Sequence, residues 1–292
     1  MQTESSTIAM GGALGTQGSL PTMVIQPVGR FAAIDVRELW EYRGLFWFLV
    51  WRDIKVRYAQ TVLGAGWAVL QPLLTMVLFT VIFGNFARIP SDGVPYAAFA
   101  ITALVPWTYF STALTNSSMS LVSSANLITK VYFPRLVIPA APVLAGLLDF
   151  FIGTFIILGV VVYYGLTPSL MALFIVPLVV VVMTLTAAGV GAWLAALNVQ
   201  YRDIRYVVPF LVQVWMYASP VVYPASIVPE RFRLVYALNP MVGVIEGLRV
   251  AFLGTGEVGW STIGFSLGTG LLLFVGGIVY FRRVERTFAD VA

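Results

Sequence analysis

The sequence predicts an all-α membrane protein of about six transmembrane helices, preceded by an amphipathic interfacial helix. Three observations carry that expectation. Hydrophobic residues make up 59% of the chain and charged ones 10%, where a soluble domain carries roughly 25% charged residues. Long apolar runs recur from residue 63 to residue 281 and leave little room for a separate soluble domain. Basic residues gather at alternate boundaries of those runs.

A helix needs roughly 20 apolar residues to cross the hydrocarbon core of a bilayer. The first run that meets this is 63–86, with Pro72 inside it and Gly84 and Asn85 near its outer end. The second, 96–118, is dense in Phe, Trp and Tyr and gives way to the polar run STALTNSSMSLVSSAN, where a cytosolic turn belongs. A third follows Arg135 and extends to 164, and a fourth covers 170–197. Gly165, Thr167 and Pro168 make the turn between them tight. The fifth spans 206–222 and the sixth 263–281. Between these two lies a long, partly apolar segment punctuated by Pro220, Pro224, Pro229 and Pro240. Short helices that dip partway back into the membrane suit it. Broken backbone at that depth is tolerated only inside protein or beside an aqueous cavity, which places the segment near the outer end of a pathway.

Orientation follows from the bases, because lysine and arginine are retained on the cytosolic side. In a six-span arrangement Arg30, Arg37, Arg43, Arg52, Lys55, Arg57, Lys130, Arg135, Arg202, Arg205, Arg282, Arg283 and Arg286 fall on one side, and Arg88, Arg231, Arg233 and Arg249 on the other. Both termini are therefore expected in the cytosol.

Ahead of the first span, residues 1–34 are expected to form a flexible cytosolic tail. They are rich in Ser, Thr and Gly and lack the basic start and compact apolar core of a cleaved signal peptide. Residues 35–62 contain DVRELWEYRGLFWFLVWRDIKVRYAQ, in which Leu39, Phe46, Leu49, Val50 and Ile54 share a broad apolar face. This stretch is too charged to span. A helix of this kind lies among headgroups, with Trp40, Trp47 and Trp51 at the interface, unless it packs only on protein. Residues 63–292 then form the membrane domain.

Several kinds of chemistry drop out. The chain has no cysteine and no histidine, which removes disulfides, thiol nucleophiles and the usual zinc ligands. No GxxxxGK[ST] run occurs, so any ATP that drives this protein is bound elsewhere. A net charge of +4 is too small to suggest a nucleic-acid partner. The acids within or near apolar runs are Asp149 and Glu246, and a lone Asp149 cannot do paired-carboxylate catalysis.

Asp149 sits near the middle of the third span, where an ionisable group is a functional candidate by default. Gly146 and Gly153 share its helical face, which favours close packing, with the carboxyl meeting a neighbouring hydroxyl, amide or base. Glu246 and Arg249 are spaced to pair on one helical face after the Asn239-Pro240 break. Ala188, Ala192 and Ala196, with Gly191 and Ala195 beside them, form a small-residue stripe for helix packing. Aromatic side chains recur at Phe79, Phe83 and Phe86 in the first span and at Phe210, Trp215, Tyr217 and Tyr223 around the fifth. Any one of them fits an interface belt or a packing core. As a group they offer flat faces on which the C–H faces of sugars stack without demanding one hydroxyl pattern.

Four segments together resemble the permease subunits of polysaccharide-exporting ABC transporters, the family of O-antigen, capsule and teichoic-acid exporters. They are FWFLVWRDIKVRYAQTVLGAGWAVLQPLLTMVLFTVIFG (46–84), NLITKVYFPRLVIP (126–139), NVQYRDIRYVVPF (198–210), and SPVVYP with NPMVGVIEGLR (219–249). The match covers nearly everything after residue 35. It implies a multi-pass protein of the bacterial inner membrane, acting as a homodimer with two cytosolic ABC ATPase subunits and moving a lipid-linked polysaccharide outward. It implies no cofactor on this chain, with ATP-Mg on the partner. The first and fifth spans line the channel in that family, which makes the seven aromatic residues channel candidates. Arg52, Lys55 and Arg57 become candidates for gathering the phosphates of the lipid carrier, against the alternative of generic positive-inside anchoring. The turn at 126–134, with Asn126, Lys130, Val131 and Phe133, becomes the candidate docking element for the ATPase, because apolar side chains projecting into water want a protein groove. Two rival functions are an exporter of small lipids or drugs on the same fold, and a membrane-embedded glycosyl- or acyltransferase, which lacks its usual acids and histidine here.

Overall fold

The computed structural model describes residues 40–59, 64–128, 130, 132–254 and 259–285. Residues 1–34 of the expected tail lie outside that set. The described residues form helices and turns: α1 (Arg43–Tyr58), α2 (Trp67–Phe79, continued as a π-helix over Thr80–Phe86), α3 (Tyr96–Ser123), the single turn α4 (Ala125–Ile128), α5 (Val137–Tyr163), α6 (Ala172–Gln200), α7 (Ile204–Tyr217), α8 (Glu230–Ala237), α9 (Pro240–Leu253) and α10 (Trp260–Val284).

Five of these helices are long and apolar enough to cross a membrane: α2 with its π-helical end, α3, α5, α6 and α10. The count reaches six when α8 and α9, joined through a bend of 103°, are taken as one broken span. The expected fifth span is the element that differs. As α7 it has 14 residues, about 21 Å at 1.5 Å per residue, which is short of the roughly 30 Å hydrocarbon core. The chain leaves the helix at Ala218 and runs through Ser219 and Pro220 into a turn. Proline at 220 cannot continue the ladder, so the apolar composition up to Val222 overstates the helix.

Helix α3 is the centre of the bundle, with the residues from Tyr96 to Val105 buried without a break. Helices α2, α5, α6, α7 and α9 all pack on it. Small residues allow the close crossings. A Cβ on Gly153 of α5 would come within 2.6 Å of Val105 Cγ1, and one on Gly191 of α6 within 2.4 Å of Ser117 Oγ. The tightest crossing joins α6 to α10, where a Cβ on Gly277 would fall 2.0 Å from the carbonyl oxygen of Gly189. In a membrane, helices associate largely through such backbone approach, since lipid tails are as apolar as leucine. The stripe predicted on the fourth span is thus a packing surface, with Ala192, Ala195 and Ala196 buried.

Helix α1 uses its predicted apolar face against protein. Leu49 and Val50 are buried with Val137, Ala141 and Ala145 of α5, and Phe46 and Ile54 pack around them. The opposite face exposes Trp40, Trp47 and Trp51, rings suited to the headgroup region. Contacts advance along both helices together, from Leu49 near Val137 to Arg57 at Asp149. Asp149 lies twelve residues past Val137, roughly 18 Å along α5.

Candidate functional site

Asp149 is the meeting point of α1 and α5. Its carboxylate accepts a hydrogen bond from the Tyr58 hydroxyl and pairs with the Arg57 guanidinium. The Arg57 and Asp149 side chains are 22% and 27% exposed, so the pair is largely withdrawn from solvent. The partner anticipated for Asp149 is therefore a base together with a hydroxyl. Arg57, one of the three candidate phosphate ligands, directs Nη1 at that carboxylate. Arg52 bonds the neighbouring Asp53, with Nη2 to Oδ1 at 2.8 Å. Lys55 is exposed.

The aromatic candidates divide by environment. Phe79 and Phe83 stack edge to face at 5.1 Å and pack against the core, whereas Phe86 stands out at the end of the π-helical segment. That segment lies close to α3 because Gly84 has no side chain: a Cβ there would meet Tyr96 Cγ at 2.9 Å. On α7, Phe210 and Tyr217 are exposed. Trp215 is half-buried, with its ring edge-on to Phe110 at 5.0 Å. Tyr223 is half-buried and donates through its hydroxyl to the Tyr217 carbonyl at 2.9 Å. The α2 end and α7 both lean on α3; α2 leaves an aliphatic face that ends in the exposed Phe86, and α7 an exposed aromatic and aliphatic face. On α7 that face carries Tyr206, Val207, Phe210, Val214 and Tyr217.

Sequence reasoning placed Trp215 in the channel and missed its partner. Its Nε1–H donates to Asn239 Oδ1 at 2.9 Å, and the same oxygen accepts from the Met241 backbone N–H at 3.0 Å. The Asn239 amide nitrogen donates to the Ala218 carbonyl at 3.0 Å and to Ser219 Oγ at 2.9 Å. One side chain thereby ties the end of α7, the turn beyond it and the first turn of α9, where Asn239 is the N-cap and Pro240 follows. Asparagine before Pro at a helix start signals a cap, but nothing in the sequence announces the indole. A second tie runs from the Tyr96 hydroxyl at the head of α3 to the Val222 carbonyl at 2.7 Å.

The predicted Glu246–Arg249 pair forms at 2.8 Å between Oε1 and Nη1. Arg249 is buried, and its guanidinium lies over the Phe99 ring at 3.5 Å. In the turn between α3 and α5, Asn126, Lys130 and Tyr132 are exposed. Phe133 points inward, buried with Leu121, Ile138 and Phe281. Val131 lies outside the described residues.

A short helix of apolar and basic residues, a bundle of small-residue crossings around one central helix, and a bent helix pair closing one end define a membrane transport domain. The family profile described as "ABC-2 type transporter" matches residues 44–253, and the chain belongs to that family. It is 32% identical over 240 residues to "O-antigen export system permease protein RfbA" of Klebsiella pneumoniae, covering 82% of this chain and 92% of the relative. The protein of the same name from Myxococcus xanthus is 34% identical over 219 residues, 74% of this chain and 83% of its own. "Polysialic acid transport protein KpsM" of Escherichia coli is 24% identical over 243 residues, 80% of this chain and 91% of its own.

Proposed function

We propose that this chain is the channel-forming subunit of an ATP-driven exporter that moves a lipid-linked, O-antigen-like polysaccharide out of the cytosol. In this reading two copies of the chain face one another, and two ABC ATPase subunits on separate polypeptides bind ATP-Mg and dock at the exposed Asn126, Lys130 and Tyr132. Both termini lie in the cytosol. The observation that carries the reading is the exposed aromatic face of α7 together with the exposed Phe86 at the end of α2, flanking the same central helix. A polymer that must keep sliding needs a wall of broad, weak contacts, and aromatic rings supply them to sugar faces while gripping no single hydroxyl. Arg52 and Lys55, on the same helix as Arg57, attract the phosphates of the carrier, each base contributing on the order of 1 kcal/mol. Arg57 fixes the end of α1 beside them through Asp149.

The seven aromatic candidates should separate on substitution. Phe210→Ala and Tyr217→Ala remove exposed rings, so export of the polymer should slow severalfold while the amount of folded protein in the membrane stays at the wild-type level. Trp215→Ala removes a ring that also holds Asn239, so folded protein and export should fall together. The assay is surface glycan appearing per unit of detergent-stable permease. An export loss at positions 210 and 217 that merely follows protein loss would remove those rings from the pathway.

A further inference from the structure

Beyond the exposed faces of α2 and α7, a cavity lies at the end of the bundle where α8, α9 and α10 meet the loop that follows α2. Its volume is about 600 Å³, within the range of roughly 300–1,000 Å³ typical of small-molecule sites. The polar side chains on its wall are Asp92, Ser226, Arg233, Tyr236, Glu246, Arg249 and Thr262. They come from five separate pieces of chain, so the cavity is a product of the tertiary fold.

The chemistry of that wall is specific. Two carboxylates and two guanidiniums balance, leaving no net charge to select a free cation or a phosphate. Arg249 is 2% exposed, and its Nε has no hydrogen-bond partner in the structure. Glu246 uses Oε1 for Arg249, and its Oε2 accepts no bond among the described residues. Asp92 takes the Ser226 hydroxyl on Oδ1 at 2.9 Å, which leaves its second oxygen open in the same way. A carboxylate and a guanidinium held by one another at Glu246 and Arg249, with acceptor oxygens still open on Glu246 and Asp92 beside a phenol ring, match a ligand bearing many hydroxyls and apolar C–H faces. A lipid tail seated there would leave the Glu246 and Asp92 carboxylates without water or a hydrogen-bond donor.

We propose that this cavity is a saccharide subsite that holds one or two sugar units of the exported polymer as it leaves. The inference rests on the glycan-export reading and deepens it. The cavity lies next to the path: the Tyr236 hydroxyl on its wall reaches the Tyr223 hydroxyl at 3.4 Å, and Tyr223 in turn bonds the end of α7. A polymer driven in strokes slides back whenever the drive resets, unless something at the exit retains it. A weak, hydroxyl-recognising site provides that retention without stopping the next stroke. Its ligand class is a neutral sugar with adjacent hydroxyls, recognised by Glu246 Oε2 and Asp92 as acceptors.

The test uses the full chain in lipid nanodiscs and, as probe, short oligosaccharides cut by mild acid from the source organism's own surface polysaccharide. Saturation-transfer NMR reads which sugar protons lie against protein. The wild type should give saturable transfer with millimolar affinity. Glu246→Gln keeps an acceptor for Arg249 but loses the carboxylate, and should bind roughly tenfold more weakly. Ser226→Leu, at an exposed position, fills the cavity without touching the buried pair and should abolish transfer even if the first variant proves unstable. No transfer to the wild type, or equal transfer to Ser226→Leu, overturns the subsite. ATP-driven movement of lipid-linked glycan by the same preparation, reconstituted with its ATPase, is scored separately. Movement without oligosaccharide binding sinks the subsite alone, whereas absence of both sinks the export reading beneath it.

Discussion

Replacing Asp149 with leucine is expected to remove most of the folded protein from the membrane. The variant strands the Arg57 guanidinium against α5, where the side chain is 22% exposed and Asp149 is the carboxylate in contact with it. Breaking a buried pair by deleting one partner costs about 3–5 kcal/mol, because a charge is left without compensation. The residual exposure of this pair lowers the expectation to about 2–3 kcal/mol. Losses of that size change the abundance of a marginally stable protein severalfold. Fluorescence-detected size exclusion of membranes expressing each variant at matched transcript level measures it. The double variant Asp149→Leu with Arg57→Leu should recover much of the loss, since an ion pair replaced by apolar side chains of similar volume is often neutral. Arg57→Lys should fall between, keeping the charge and losing the fork. An Asp149→Leu protein as abundant and monodisperse as wild type would show that the pair contributes nothing.

The second large effect is expected at Asn239. Asn239→Ala deletes four hydrogen bonds at once, to Trp215, Met241, Ala218 and Ser219. A net contribution near 1 kcal/mol each puts the total at about 2–4 kcal/mol. The consequence is also directional. Without the amide, the end of α7 and the start of α9 no longer share a fixed point, so the bent pair loses its register with the aromatic face of α7. Asn239→Asp retains both acceptor bonds and loses both donor bonds, and should lie midway. Thermal denaturation of the purified variants in one detergent should rank wild type above Asp above Ala, with export declining in the same order. If alanine melts with the wild type, the four contacts are not a structural pin.

Periodicity and composition made much of this fold legible in advance. The long spans, their order and the small-residue crossings all follow from apolar runs and glycine or alanine spacing, which act locally. Four features did not follow, three of them for a common physical reason. Asp149 was visible as a charge in a span and Arg57 as a base near headgroups, yet nothing in either neighbourhood pairs them; the union is made by α1 running along α5. Trp215 was visible as an aromatic on a channel face, while its indole N–H finds an asparagine across a turn. Phe133 was expected in a projecting turn, and tertiary packing against Phe281 draws it inside. The length of α7 was misjudged because apolar residues continue past the helix into a proline turn that packs on α3 through Tyr96. Long-range polar pairing therefore marks the limit of what residue spacing reveals here.

In the proposed reading this chain forms the membrane path of an ATP-driven glycan exporter. The direct measurement places the permease and its cognate ATPase in sealed vesicles with radiolabelled lipid-linked polysaccharide on the ATPase side. Glycosidase added on that side then reports how much polymer has crossed. ATP should confer protection that grows with time, and omitting either subunit or adding a non-hydrolysable analogue should abolish it. Polymer that stays fully digestible in the presence of ATP, while a small amphiphile is moved by the same vesicles, would contradict the account.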